Sequence, residues 1–364
     1  MRKCPYCDFN SHSLRGEIDE LGYVEALLRD LDWELAREPE SRPISSAFFG
    51  GGTPSLFSGA AMQRLMDGLR SRLSFTADAE ITLEANPGTV DEAHFAAYRA
   101  AGINRLSIGI QSLDAAKLKA LGRIHDPDQA RRAVRVARSA GFDNLNLDLM
   151  FALPQQTLAE AATDLDGVLA LAPEHVSYYH LTIEPNTAFA HQPPSVPDED
   201  LAADMLDQAL ATLNAAGFAR YEVSAYAREG RRSRHNLNYW TFGDYLGLGA
   251  GAHAKRSGVE GIRRAAREKH PQRYLAQVGS PGIEQDVLMI EAAQRPFEYL
   301  MNALRLAEPR PWQEFIQRTG LDQAALQAHI EAPVARGLMH RDAQCFGTTE
   351  TGYAHLNTVL QQLL

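Results

Sequence analysis

The strongest constraint on the fold is an alternation that runs through the first two-thirds of the chain. Short apolar runs suited to strands are followed, again and again, by amphipathic helical patterns. Strands are expected at 44–50, 80–85, 104–110, 144–151, 175–183 and 221–226. Helices are expected at 23–37, 60–73, 92–101, 128–140, 158–171 and 200–216, with Gly102, Gly141 and Gly217 as stops just past three of them. Strand–helix–strand units of roughly thirty residues cross over with a right hand and build a mainly parallel sheet. This many units predict a complete or partial (β/α) barrel, ahead of a doubly wound sheet.

The pattern changes further on. A proline-rich stretch, 191–197, follows the fifth strand. Residues 227–284 read as an irregular region rich in Gly, Arg and His. Helices at 287–306, 312–319 and 323–332 then precede a polar, hairpin-like segment at 337–353, an order that suggests a winged-helix-like domain. The expected organisation is therefore a barrel over 1–226, an irregular linking region over 227–284, and a mainly helical domain over 285–364. From Gln285 onward there are six basic and nine acidic residues, and the whole chain carries a formal charge of −10. That balance argues against nucleic acid as a partner. No apolar run reaches the length of a membrane span, which argues against direct membrane insertion, and Met1-Arg2-Lys3-Cys4 lacks a signal-peptide core. Three cysteines do not make a disulfide scaffold, so a reducing, cytoplasmic setting is expected.

In parallel α/β folds the chemistry collects where strands end. Here the first strand ends in Gly50-Gly51-Gly52-Thr53, the second in Glu84-Ala85-Asn86-Pro87 and the third in Gly109-Ile110-Gln111-Ser112. The fourth carries Asp148, and the fifth carries Tyr178, His180 and Thr182. Successive glycines let bare backbone approach a small polar ligand, although a tight strand-to-helix turn explains them equally well. Glu84, Gln111 and Asp148 could each be an ordinary polar strand end; a barrel would gather them around one mouth. Cys4 and Cys7 form Cys-Pro-Tyr-Cys. As a bare motif this fits a redox pair, half a zinc site or part of an iron–sulfur site.

Taken together, these segments resemble the radical S-adenosylmethionine superfamily. Within it they look like the oxygen-independent coproporphyrinogen oxidase family and its HemW-type haem-chaperone branch. The matching stretches are CPYCDF at 4–9, FFGGGTPS at 48–55, EANP at 84–87 and GINRLSIGIQS at 102–112. In the same order follow DLMFALPQQT at 148–157, LTIEPNT at 181–187, HNLNYW at 235–240 and YLGLGAGAH at 245–253. The resemblance implies a partial (β/α)6 TIM-like barrel. It also implies a [4Fe–4S] cluster on a C-x3-C-x2-C loop, with S-adenosylmethionine on the open iron. Carried across, Cys4 and Cys7 match the second and third cluster ligands, and Tyr6 lies between them near the cofactor. Gly51, Gly52 and Thr53 match the loop that meets the methionine amino group. Glu84, Gln111, Arg123 and Asp148 match further contacts to S-adenosylmethionine.

Two positions depart from the family pattern. The first cluster cysteine, and the barrel strand before it, are missing from the sequence, which starts within C-x-[RK]-[RK]-C; a start placed too late in the gene would account for both. Cys345 is not expected to replace that ligand. Position 9 is Phe, where the oxidases have a further cysteine and the chaperone branch has Phe. The expected function is therefore binding of haem and its transfer to an acceptor protein, such as an enzyme of the respiratory chain. The alternatives are oxidative decarboxylation of coproporphyrinogen III propionates, or a haem-binding scaffold without a cluster if the short N-terminus is genuine. For haem, His235 is the preferred ligand, with Tyr239 and Trp240 as packing aromatics and His180 and His253 as weaker ligands. Arg231, Arg232 and Arg234 are suited to pairing with propionates. A hydrogen-bonded loop histidine and a solvated arginine run are the plain readings of the same residues.

Overall fold

The computed structural model describes residues 3–12, 19–89 and 92–363; Met1 and Arg2, just before Cys4, lie outside the described residues. The chain divides into two compact units, one of 1–220 with 224–232, the other of 221–223 with 233–364.

The first unit is built on a seven-stranded sheet curled into a half-barrel. Strands β1 (Ile44–Phe49), β2 (Phe75–Ala85), β3 (Arg105–Gln111), β4 (Leu145–Phe151) and β5 (His175–His180) lie side by side in chain order and run parallel. The expected sixth strand is two short ones. β6 (Ala219–Glu222) and β7 (Ala225–Ala227) are separated by a turn at Val223 and Ser224, and β7 lies antiparallel to β5. Ser224 accepts a hydrogen bond from the Tyr178 amide at 2.8 Å, so the turn itself is tied to β5. Apolar continuity from Tyr221 to Tyr226 concealed this reversal.

Helices Gly59–Arg70, Glu92–Ala101, Pro127–Ser139 and Leu158–Leu169 follow β1 to β4. Their starts are defined locally. Ser58 caps the first of them, and Asp126 with Gln129 and Thr157 with Glu160 form reciprocal capping boxes on the last two. A further short helix, Ala115–Ala120, lies in a stretch read as loop; six residues are too few to show a helical period.

Period-two alternation gives each strand of the sheet two different faces. Leu106, Ile108, Leu145, Leu147 and Leu149 are fully buried on one. The alternate residues are polar: Glu80, Thr82 and Glu84 on β2, Arg105 and Ser107 on β3, Asn146 and Asp148 on β4, His175 and Ser177 on β5. Arg105, only 2% exposed, lies 3.8 Å from Glu80.

Residues 227–284, of which 233–284 lie in the second unit, correct the expectation of an irregular region. They hold helices Arg234–Trp240 and Pro271–Gln277 and the strands β8 (His253–Gly258) and β9 (Gly261–Arg267). With β10 (Glu284–Ile290) these strands form an antiparallel sheet in the order β10-β9-β8. The strands were masked by their charges. Buried Arg267 pairs with Glu284 at 3.0 Å, and buried Lys255 with Asp244 at 3.0 Å, so partnered ions stand where apolar side chains would have marked a strand. The expected helix at 287–306 begins instead as β10, and helix Arg295–Ala303 starts one residue before Pro296. Helices Trp312–Thr319 and Gln323–Ala335 follow, and β11 (Arg310–Pro311), β12 (Met339–Arg341) and β13 (Cys345–Thr348) form a small wing in the order β11-β13-β12. Tyr299, Leu300, Trp312, Phe315, Ile330 and Phe346 make its core, with Trp312 and Phe346 at 4.7 Å between ring centroids. Among the described residues no helix is long and apolar enough to cross a membrane.

The buried Arg105–Glu80 pair generates a stability prediction. Arg105→Met removes the guanidinium that stands beside buried Glu80 and is expected to cost about 3 kcal/mol. Adding Glu80→Gln to the same chain should recover part of that loss. Urea unfolding of the two variants checks this; equal midpoints for R105M and R105M/E80Q would show that the pair is not coupled.

Candidate functional site

Residues from four strand ends and the loop after β3 converge at one edge of the first unit. After β1 the backbone of Gly51 and Gly52 takes φ values of 78° and 59°. Side chains other than glycine's resist this region. A Cβ at either position would meet nothing within 4 Å, so conformation, not crowding, selects glycine, and the space beyond is open. The Gly51 amide donates to Glu84 Oε2 at 3.1 Å, locking the loop to the end of β2. Thr53 leads into the short turn Pro54–Leu56. Burial, and then the charge of Asp148, pushes the Glu84 carboxyl up to about 7.

The next strand end is shaped by a bulge. The β3–β4 register slips between Ile108 and Gln111, and Gln111 takes a φ of 69°. Two side chains from one loop take carbonyl groups there. Arg123 Nη2 donates to Gly109 O at 2.8 Å, and His125 Nε2 lies 3.0 Å from Ile110 O. Burial, with Arg123 adding to it, pushes His125 down to about 4, so the ring is neutral and Nε2–H donates. The sequence reading singled out Arg123 and missed His125, although both stand in the run Gly122–Asp126 just before a helix start. Gly109 marks the convergence point. A Cβ there would lie 3.0 Å from Gln111 Nε2, 3.4 Å from Arg123 Nη2 and 3.9 Å from Asp148 Oδ2. Burial pushes Asp148 up to about 6, opposed by hydrogen bonds from Asn146 and Ser177 and by the charges of Arg105 and Arg123.

The cysteine loop joins this group through Arg123, whose Nη1 lies 4.0 Å from Cys4 Sγ. The Cys7 amide donates to Cys4 O at 3.1 Å, closing a tight turn. Phe189 donates its amide to Pro5 O at 3.0 Å. Tyr6 packs against a cluster of Leu121, Met150, Leu153, Leu181 and Phe189, and burial pushes its phenol up to about 12. Burial also raises the Cys7 thiol. Phe9 is 63% exposed beside this turn. Cys4, Tyr6, Gln111 and Asp148 thus gather around Arg123 and Gly109, Gly51 is tied to Glu84, and the charge of Asp148 reaches Glu84; Arg123 Nε is buried with no partner among the described residues. Open space beside bare backbone, two carboxyl groups and a guanidinium suit a zwitterionic small molecule with an ammonium and a carboxylate. No three Cys, His, Asp or Glu side chains among the described residues are grouped to hold a metal ion.

The other candidates are divided between the two units. His235, Tyr239 and Trp240 share the helix Arg234–Trp240 in the second unit. His235 meets the Tyr239 ring edge-on at 4.7 Å, Tyr239 meets Tyr245 at 4.5 Å, and Arg305 covers Trp240 at 4.4 Å. The second unit also holds His253, at the exposed start of β8, and Arg234. Arg231, Arg232 and His180 belong to the first unit, where Arg231 pairs with Asp143 at 3.7 Å and His180 lies against Phe151 at 5.2 Å. Cys345, on β13, faces Asp342 at 3.4 Å.

Comparison with known proteins agrees with this geometry. The radical SAM superfamily profile matches residues 1–166, and the HemN C-terminal domain profile matches 290–355. The protein named heme chaperone HemW from Escherichia coli is 48% identical over 370 residues, covering all of this chain and 95% of that protein. Its namesake from Haemophilus influenzae is 45% identical with the same coverage. Radical S-adenosyl methionine domain-containing protein 1 of mouse mitochondria is 36% identical, over all of this chain and 85% of that one. In fold, the chain is similar to the Escherichia coli coproporphyrinogen III oxidase HemN, with a TM-score of 0.83 at 23% identity, covering all of this chain and 87% of that one. Half-barrel, helical C-terminal domain and full-length identity agree: the chain belongs to the HemW-type branch of the radical S-adenosylmethionine family.

Proposed function

We propose that this protein is a haem chaperone: it binds haem and passes it to an acceptor protein in the cytoplasm, such as a haem enzyme of the respiratory chain. The observation that carries the reading is identity of 48% along the whole chain to a protein named for that role. Phe9 supports it, because the oxidases of the wider family have a cysteine there.

Within this reading the strand-end site of the first unit takes S-adenosylmethionine. Gly51, Gly52 and Thr53 present backbone to its amino acid part, and Glu84 offers a carboxylate to the ammonium. Gln111, Arg123 and Asp148 line the rest, with Tyr6 packed beside them. Cys4 and Cys7 are two thiolate ligands of a [4Fe–4S] cluster, and the third is not among the described residues. A cluster with S-adenosylmethionine supplies one-electron chemistry when bound.

His235 is the proposed haem ligand, with Tyr239 and Trp240 packing on the porphyrin. Burial raises the Tyr239 phenol, so it stays neutral and serves as an aromatic surface instead of an anionic ligand. The assignment of barrel, linking region and helical domain as cofactor, haem and packing modules is part of this proposal. A second reading, oxidative decarboxylation of coproporphyrinogen III, draws on the fold shared with HemN; anaerobic turnover of that porphyrinogen would favour it. A cluster-free haem scaffold would bind haem after anaerobic reconstitution but take up no iron–sulfur cluster.

Titration of the protein with haem, followed by Soret absorbance, is expected to saturate stoichiometrically. His235→Ala should weaken haem binding by about tenfold or more, the scale of one lost coordinate bond partner; unchanged affinity removes His235 as ligand. Gly51→Ala forces an L side chain into left-handed backbone at a cost of about 1–2 kcal/mol. It is expected to weaken S-adenosylmethionine binding about tenfold while haem affinity stays the same, as measured by calorimetry. Equal S-adenosylmethionine affinity for G51A and the parent would remove the glycine loop from the site.

A further inference from the structure

Beneath the strand-end site lies a group of side chains that no ligand is expected to touch. Asn146 on β4 is at its centre, and it is buried. Its Nδ2 donates to Asp148 Oδ1 at 2.7 Å and to Ser107 Oγ at 2.8 Å. Its Oδ1 lies 2.6 Å from His175 Nδ1 and accepts from Ser177 Oγ at 3.0 Å. Ser107 Oγ in turn points at Asp148 Oδ2, 3.5 Å away. Every donor and acceptor direction of the amide is therefore in use.

The orientation of that amide follows from chemistry. A carboxylate oxygen accepts only, so the Asn146 atom facing Asp148 is the nitrogen, and the oxygen faces His175. Buried His175 is pushed well below the ordinary histidine range by burial and by Arg105, so its ring is neutral. With an oxygen opposite, Nδ1 must carry its proton. The tautomer of His175, the turn of Asn146 and the rotamer of Asp148 are thus fixed in series. Asp148 Oδ1 is occupied from below, and Oδ2 is the oxygen that approaches Gly109 and the open end of the site.

We infer that Asn146 is a positioning residue: by filling Asp148 Oδ1 with an amide donor it keeps that carboxylate ionised and aims Oδ2 at the bound ligand. The inference rests on the reading of this site as the S-adenosylmethionine site. The groups facing Asp148 are Arg105 and Ser107 on β3, Asn146 on its own strand, Ser177 on β5, Arg123 from the loop after β3, and Glu84 on β2. Of the polar groups on β3 and β4, Asn146 lies at 2.7 Å from it and Ser107 at 3.5 Å.

The test exchanges the donor for an acceptor of the same shape. In Asn146→Asp the contacts to His175 and Ser177 persist, but two carboxyl groups meet at hydrogen-bond distance and share a proton. Binding of S-adenosylmethionine by the full-length, anaerobically reconstituted protein is measured by calorimetry between pH 5.5 and 9, for the parent, N146D, D148N and N146D/D148N. In the parent, affinity falls as pH drops through the range where Glu84 and Asp148 gain protons, about 7 and about 6. N146D should lose affinity about tenfold at pH 7.5 and show its fall at higher pH by about one unit, since a like charge raises a carboxyl pKa by that order. In the D148N background, adding N146D should change affinity less than twofold. A purely structural role would lower affinity equally at every pH and in both backgrounds, and that result overturns the inference. So does an N146D profile that matches the parent. Should N146D not fold, as judged by circular dichroism, Asn146→Ser carries the same comparison, with a smaller upward shift of the profile expected and an unmoved profile overturning. Absence of S-adenosylmethionine binding in the parent instead overturns the reading of the site.

Discussion

A parallel sheet whose inner face is polar must satisfy every buried group on that face, and the first unit is organised around this requirement. Arg105 is the key charge. It is almost fully buried, stands beside Glu80, depresses His175 and favours the ionised form of Asp148. From it a graded column rises: ions at the base, neutral hydroxyl and amide groups in the middle, carboxyl groups at the strand ends. Burial raises both Glu84 and Asp148, and the hydrogen bonds and arginine charges around Asp148 oppose its rise.

The apolar face obeys a simpler rule. Fully buried Leu106, Ile108, Leu145, Leu147 and Leu149 need only matched volume against the helices. The two faces therefore do different work. One supplies cohesion and tolerates volume-conserving exchange. The other supplies chemistry and tolerates little, because each deletion leaves a partner unsatisfied.

This division explains what could be read from residues alone. β3 and β4 were legible as strands because one face is continuously apolar, whereas β2 begins at Phe75, ahead of the run that marks it; Glu84, Gln111 and Asp148 stood out as candidates because they fall near strand ends. Asn146, Ser107, His175 and His125 did not. Their sequence context is ordinary, and their importance lies in contacts between strands or between a loop and a strand. β8 and β9 were missed for a related reason. Arg267, Lys255 and their acidic partners occupy positions where alternation would have shown hydrophobic residues. The hairpin at Val223 was hidden by the opposite effect, apolar residues on both sides of a turn. Phe9 already pointed to the haem-chaperone branch, and identity along the whole chain to the protein named heme chaperone HemW agrees with it.

The two capping boxes carry a further consequence. The loops that follow β3 and β4 are bounded on the far side by Asp126 with Gln129 and by Thr157 with Glu160. The loop after β4 is thus a short span, and the longer one after β3 carries helix Ala115–Ala120; each runs between two anchors, one in the sheet ladder and one at a helix start. A span held at both ends has little conformational entropy left to lose when a ligand arrives. Amide hydrogens at these helix starts would exchange with solvent only when the anchors open, so the mouth of the half-barrel is kinetically stiffer than surface loops usually are.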